Sequence, residues 1–107
     1  MKPIRRRPAA MDDMVRQVAY RRRAAGAASA ARLVDEMAAC LRSISEAPGA
    51  GSRRIGQLLG VADLQWKRVG ATRLWFWYVD EPDFVDLIRL VSTDQLPRQA
   101  MLPSDWH

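Results

Sequence analysis

Apolar positions along this chain change period once, and the change divides it into a helical first half and a stranded second half. Met11, Met14, Val15 and Val18 recur at i, i+3, i+4 and i+7, the spacing of one helical face. Asp12 and Asp13 in the expected first turn and Arg21, Arg22 and Arg23 in the last suit the helix dipole, and Gly26 supplies a stop. A second helix is expected from a Ser29 cap, with Ala30, Leu33, Val34, Met37, Leu41 and Ile44 along one side until Pro48-Gly49 ends it. Helices joined this closely lie antiparallel and share an apolar seam. Ahead of them Pro3 and Pro8 bracket an extended stretch, residues 2–7, expected as a short first strand.

Residues 48–60 hold Gly49, Gly51, Gly56 and Gly60 with Arg53 and Arg54 between them, the composition of a loop. Beyond it the period drops to two. Leu64 and Trp66 alternate with Asp63, Gln65 and Lys67, and residues 72–79 and 84–91 form two runs rich in aromatic and branched side chains around Asp80-Glu81-Pro82-Asp83. Connections this short exclude parallel crossovers, so a three-stranded antiparallel meander is expected. The fold class is therefore α+β: a short N-terminal strand, an antiparallel helical hairpin, then a meander forming one small sheet. Residues 96–102 are weakly patterned and read as a helical turn leading into a C-terminal tail.

The strand over 72–79 is apolar on both sides, with Leu74, Phe76 and Tyr78 on one and Trp75, Trp77 and Val79 on the other. Its neighbour continues the pattern, with Phe84, Ile88 and Leu90 on one side and Val85, Leu87 and Val91 on the other. Two helices cover only one face of such a sheet. Trp75, Trp77, Val79, Val85 and Leu87 are therefore expected to form an exposed apolar patch that binds a protein partner. The alternative is that the C-terminal segment folds back over that face.

Composition narrows the chemistry. The 107 residues make one domain, with its core over 3–97 and a tail at 98–107, and 49% hydrophobic with 27% charged content is that of a globular chain. No apolar run approaches the roughly 18 residues of a membrane span, and the basic N-terminus lacks the apolar stretch of a signal peptide, so a soluble cytoplasmic protein is expected. A single cysteine, Cys40, and a single histidine, His107, leave too few ligands for structural zinc and no partner pair for a His-based triad. The net charge is +5, and residues 1–70 carry 14 Lys/Arg against 6 Asp/Glu, whereas 71–107 carry 3 against 6. That asymmetry points to an acidic partner near the first two-thirds of the chain. The glycine-rich stretch follows a helix and lacks the Gly-Lys-Ser/Thr of a phosphate loop. Asp12 and Asp13, adjacent on a helix, point about 100° apart and make a poor catalytic pair.

Several short motifs in order carry a family resemblance. Arg7-Pro8-Ala9-Ala10 leads into Asp12-Asp13-Met14; Ala19-Tyr20 lies late in the first helix; Pro48 and Gly51 follow the second. Trp66-Lys67-Arg68-Val69-Gly70 then precedes Arg73-Leu74-Trp75-Phe76, and Ile88-Arg89-Leu90-Val91 precedes Asp94-Gln95-Leu96-Pro97. Over residues 3–97 the chain resembles the ParE/RelE superfamily of type II toxin-antitoxin toxins, and is more similar to the ParE branch. The resemblance implies a toxin that inhibits DNA gyrase, needs no cofactor or metal, has no catalytic residues, and is neutralised by a cognate ParD-like antitoxin in a hetero-oligomer. Arg53 and Arg54 on the flexible glycine loop, Lys67 and Arg68 on the second strand and Arg98 past the last strand are the cations not needed to balance a helix end, and they are expected to bind the target; the antitoxin would take the Trp75 and Trp77 face. The RelE branch cleaves mRNA on the ribosome with Lys and Arg residues and a C-terminal aromatic or histidine base. This chain offers Lys67 and Arg68 but no Tyr or His near the end of its last strand. A RelE-like mRNA interferase and a non-toxic binding module derived from a toxin stand as alternatives.

Overall fold

A computed structural model describes residues 1–95. In chain order the elements are β1 (Ile4–Arg6), α1 (Pro8–Ala25), α2 (Ala27–Glu46), α3 (Arg54–Leu59), β2 (Leu64–Arg68), β3 (Leu74–Asp80) and β4 (Val85–Ser92). Single turns of 3-10 helix lie at Pro48–Ala50 and Thr93–Gln95. The class is α+β as expected, with one mixed four-stranded sheet in the order β1-β4-β3-β2. The meander β2-β3-β4 is antiparallel throughout, and β1 joins it by parallel pairing to β4, with Ile4 opposite Val85 and Arg6 opposite Leu87. Parallel pairing needs a long crossover, which the two helices and the first two meander strands provide. The expected helical turn and tail beyond Gln95, with Arg98, lie outside the described residues.

Ion pairs fasten β1 and the start of α1 to the sheet. Lys2 Nζ donates to Asp80 Oδ1 at 2.6 Å, and the Arg7 guanidinium donates to both carboxylate oxygens of Asp86 at 3.0 and 2.8 Å. The Asp86 hydrogen bond raises the Arg7 pKa against the opposing effect of burial. Pro8 opens α1, where its missing N–H costs nothing and its fixed φ suits the helix. Because α1 starts there, Asp12 and Asp13 fall beyond the first turn, and their expected dipole role does not apply.

Asp13 instead turns inward. With Ala10 it is the buried part of α1, while Met11 and Val15, expected on the core face, are 50% and 67% exposed. The Asp13 carboxylate accepts from Arg89 Nε at 2.6 Å, Arg89 Nη2 at 3.1 Å, Arg16 Nη2 at 2.8 Å and the Leu90 backbone N–H at 3.1 Å. These four hydrogen bonds set the rotation of α1 about its axis, which its apolar periodicity alone does not. Gly26, at φ 91°, serves both helices: its N–H donates to Arg22 O at 2.9 Å and its carbonyl accepts from Ala30 N at 3.1 Å. Ser29 consequently lies within α2 rather than capping it.

Two apolar clusters flank the sheet. On the hairpin side, Leu33, Met37, Cys40, Leu41 and Ile44 of α2 pack on Leu74, Phe76, Tyr78, Val85, Leu87 and Leu90. On the other side, Ile55 of α3 packs on Leu64, Trp77 and Ile88. The second cluster exists because residues 54–59, expected as loop, form a helix laid over the tryptophan face. Gly56 permits the approach, since a Cβ there would lie 2.4 Å from Val61 O and 2.7 Å from Leu64 O.

The expected side assignment of β4 fails at a β-bulge. Tyr78 pairs with Leu87 and Trp77 with Arg89, leaving Ile88 as the extra residue. An extra residue reverses the alternation beyond it. Val85, Leu87 and Leu90 therefore share the hairpin side, and Ile88 and Val91 share the tryptophan side. Among the described residues no helix is long and apolar enough to cross a membrane.

Candidate functional site

A cationic edge is assembled along β2. Ser52 pairs with Trp66 through backbone hydrogen bonds of 3.1 and 2.9 Å, which lays the segment entering α3 against the outer side of that strand. Ser52 Oγ then accepts the Arg54 N–H at 3.2 Å and turns the chain into α3. In that antiparallel pairing Arg53 and Arg54, both exposed, lead away from Ser52 toward the Leu64 and Gln65 end of β2, whereas Lys67 and Arg68 stand at its other end. Arg53 and Arg54 stand at the start of a helix rather than on a flexible loop. The Arg68 guanidinium curls over the β2–β3 turn, donating to Thr72 O and to Ala71 O, and remains exposed. Four of the five target-binding residues expected from sequence thus lie on β2 or on the segment bridged to it, and Arg98 lies outside the described residues.

Behind this edge lie two buried titratable groups. Cys40 donates its thiol to Arg68 O at 3.4 Å, and burial pushes its pKa up to about 11 against the opposing charge of Lys67. Burial likewise pushes the Tyr78 phenol to about 12, with Cys40 and Asp80 acting in the same direction and Arg53 opposing. Both groups hold their protons at neutral pH. The edge therefore presents positive charge, suited to a polyanion or an acidic protein surface, without an ionised thiolate or phenolate behind it.

The five residues expected to bind a partner do not share a surface. Val85 and Leu87 are 0% exposed in the hairpin-side core, and Trp77 is 1% exposed beneath α3. Trp75 and Val79 remain half-buried on the tryptophan side, where Trp75 stacks on Trp66 with ring centroids 4.3 Å apart and planes at 26°. The patch expected there is covered by the chain's own third helix. Arg54-Ile55-Gly56-Gln57-Leu58-Leu59 carries one signal that could have revealed it, the i, i+4 pair Ile55 and Leu59.

A second surface has no counterpart in the sequence reading. Between the outer flanks of α1 and α2 runs an open apolar groove of about 650 Å³. Met14, Val15, Val18 and Ala19 line one wall and Val34, Met37, Ala38 and Leu41 the other, with Arg6, Arg22 and Arg23 on the rim. Val15 and Val34, expected in the seam between the helices, face outward along it instead. No protein-family model matches this chain, and no curated protein matches it.

Proposed function

We propose that this chain is a ParE-like toxin of a type II toxin-antitoxin pair, acting in the cytoplasm on DNA gyrase and held inactive by a cognate antitoxin. The observation that supports this reading is a set of cations, exposed Arg53, Arg54 and Arg68 with half-buried Lys67, along β2 and the segment bridged to it in a small α+β domain. Gyrase works on DNA, and a poison lodged near cleaved duplex gains from cations that face the phosphates. The order of strand, helical hairpin and meander, with the motifs quoted above, supports the same assignment.

Lys67 and Arg68 also keep a second reading in play, since these are the positions that the RelE branch uses for ribosome-dependent mRNA cleavage. A third is a binding module that has lost toxicity. Induction in a bacterial host without antitoxin separates them. Gyrase poisoning gives filamentous cells and a DNA-damage response, mRNA cleavage gives immediate arrest of translation, and a non-toxic module leaves growth unchanged.

A further inference from the structure

Residues 51–55 wrap the outer edge of β2 from one face of the sheet to the other. At the start of the wrap Gly51 lies against Tyr78 and Gln65, which pair across β3 and β2 on the hairpin side. At its end Ile55 is buried in the cluster on the tryptophan side. Between the two, Ser52 is bridged to Trp66, and the exposed Arg53 and Arg54 occupy the crest. A covering of this kind blunts an edge strand against pairing with other chains, and it also fixes where the two cations stand.

The backbone of Gly51, at φ −69° and ψ 159°, is one that any residue adopts, so space rather than conformation calls for glycine there. A Cβ at this position would overlap Tyr78 Oη and lie 2.8 Å from Tyr78 Cζ and 3.1 Å from Gln65 Oε1. The phenol oxygen takes the place of a side chain at 51. Tyr78 is 0% and Gln65 1% exposed, and among the described residues neither Tyr78 Oη nor Gln65 Oε1 has a hydrogen-bond partner. A buried hydroxyl in that state weakens a fold, and phenylalanine would fill the same core without one. What the hydroxyl supplies is contact with Gly51. Arg53 stands near enough for its charge to act on the phenol.

We infer that Tyr78 is a positioning residue for Arg53 and Arg54: its hydroxyl, with Gln65 Oε1 beside it, is the stop on which Gly51 rests, and it holds residues 51–55 at the height over the β2 edge that presents both guanidiniums. Under the proposed function those guanidiniums meet the target. That consequence rests on the toxin reading, whereas the seating of Gly51 does not.

Amide hydrogen exchange on the full chain, read by NMR, tests the seat. Tyr78→Phe removes the hydroxyl and keeps the ring, so this variant should melt no lower than the parent. The Ser52 and Trp66 amides that form the bridge should nevertheless exchange about tenfold faster, while amides shared by β3 and β4 keep their rates. Gly51→Ala should loosen the bridge in the same way. Combined with Tyr78→Phe it should recover most of the protection, because its methyl enters the space that the hydroxyl left, with a small shift of the ring. If Gly51→Ala does not fold, Tyr78→Phe carries the test. Supercoiling by gyrase supplies the functional arm: Tyr78→Phe should need several-fold more protein to stall it, and the double variant should regain most of that loss. Unchanged exchange at Ser52 and Trp66 in Tyr78→Phe, equal acceleration across β3 and β4, or a double variant no better protected than either single one would overturn the inference. So would a Tyr78→Phe chain with a loosened bridge that stalls gyrase as the parent does. A parent chain without effect on gyrase would overturn the toxin reading alone, and exchange would still decide the seat.

Discussion

Replacing Asp13 by Ala removes the side chain that holds α1 to the sheet. The carboxylate is 6% exposed and accepts four hydrogen bonds, from Arg89 Nε and Nη2, Arg16 Nη2 and the Leu90 N–H. Breaking a fully buried pair by deleting one partner costs about 3–5 kcal/mol. Two features lower that figure. Arg16 is 69% exposed, so its share is under about 1 kcal/mol, and Arg89 is 30% exposed with further interactions to sustain it. The buried Leu90 N–H has no such relief, and leaving a buried donor unsatisfied costs about 1–3 kcal/mol. The expected loss is about 2–4 kcal/mol, read from urea unfolding followed by tryptophan fluorescence and circular dichroism. At about 4–8 °C per kcal/mol for a domain near this size, the melting temperature should fall by roughly 8–32 °C. Asp13→Asn, which keeps an acceptor but loses the charge, should cost about half as much, and Arg16→Ala under about 1 kcal/mol. A loss below about 1 kcal/mol for Asp13→Ala, or equal losses for Asp13→Ala and Arg16→Ala, would refute the assignment of Asp13 as the anchor of α1.

Gly56→Ala sets a Cβ against Val61 O and Leu64 O, so α3 should lift from the tryptophan face, shifting fluorescence to the red and costing about 1–3 kcal/mol; an unchanged spectrum would mean that α3 is not its cover. Cys40 ionises near 9 when unfolded and near 11 when folded, so its contribution is full below about pH 9 and is lost as pH rises to 11, by up to about 2–3 kcal/mol. Tyr78 adds a second fall between about pH 10 and 12, and Cys40→Ala should remove the first and lessen the second; denaturant midpoints measured from pH 8 to 12 check both. At pH 8 the folded protein should react with a thiol reagent only as fast as it unfolds, and prompt labelling would show Cys40 to be accessible.

The sequence reading located α1, α2 and the three strands of the meander because their apolar positions repeat at 3.6 or 2 residues over long enough runs. It missed α3 because six residues with glycine in their midst, between Gly51 and Gly60, have the composition of a turn. Nor is the bulge at Ile88 visible in a strand whose sides are both apolar, and misplacing it moved Val85 and Leu87 to the wrong side. Asp13 finds its partner Arg89 across 76 positions of sequence, so nothing local distinguishes it from Asp12, and the outward facing of Val15 along the groove was hidden with it. The cationic edge was half legible. Arg53, Arg54, Lys67 and Arg68 stood out as charges that no helix end needs, but that the segment leading into Arg53 and Arg54 lies along β2 depends on the Ser52–Trp66 bridge.

The proposed function is tested most directly by adding the purified chain to DNA gyrase, relaxed plasmid and ATP. Supercoiling is expected to stall and linear DNA to accumulate, and a triple variant with Arg53, Arg54 and Arg68 changed to Glu should lose both effects. Each exposed arginine alone is worth only about 0–1 kcal/mol, so single changes should be mild. Supercoiling that proceeds unimpeded, with discrete cleavages appearing instead in the ribosomal A site of a programmed translation reaction, would contradict the assignment.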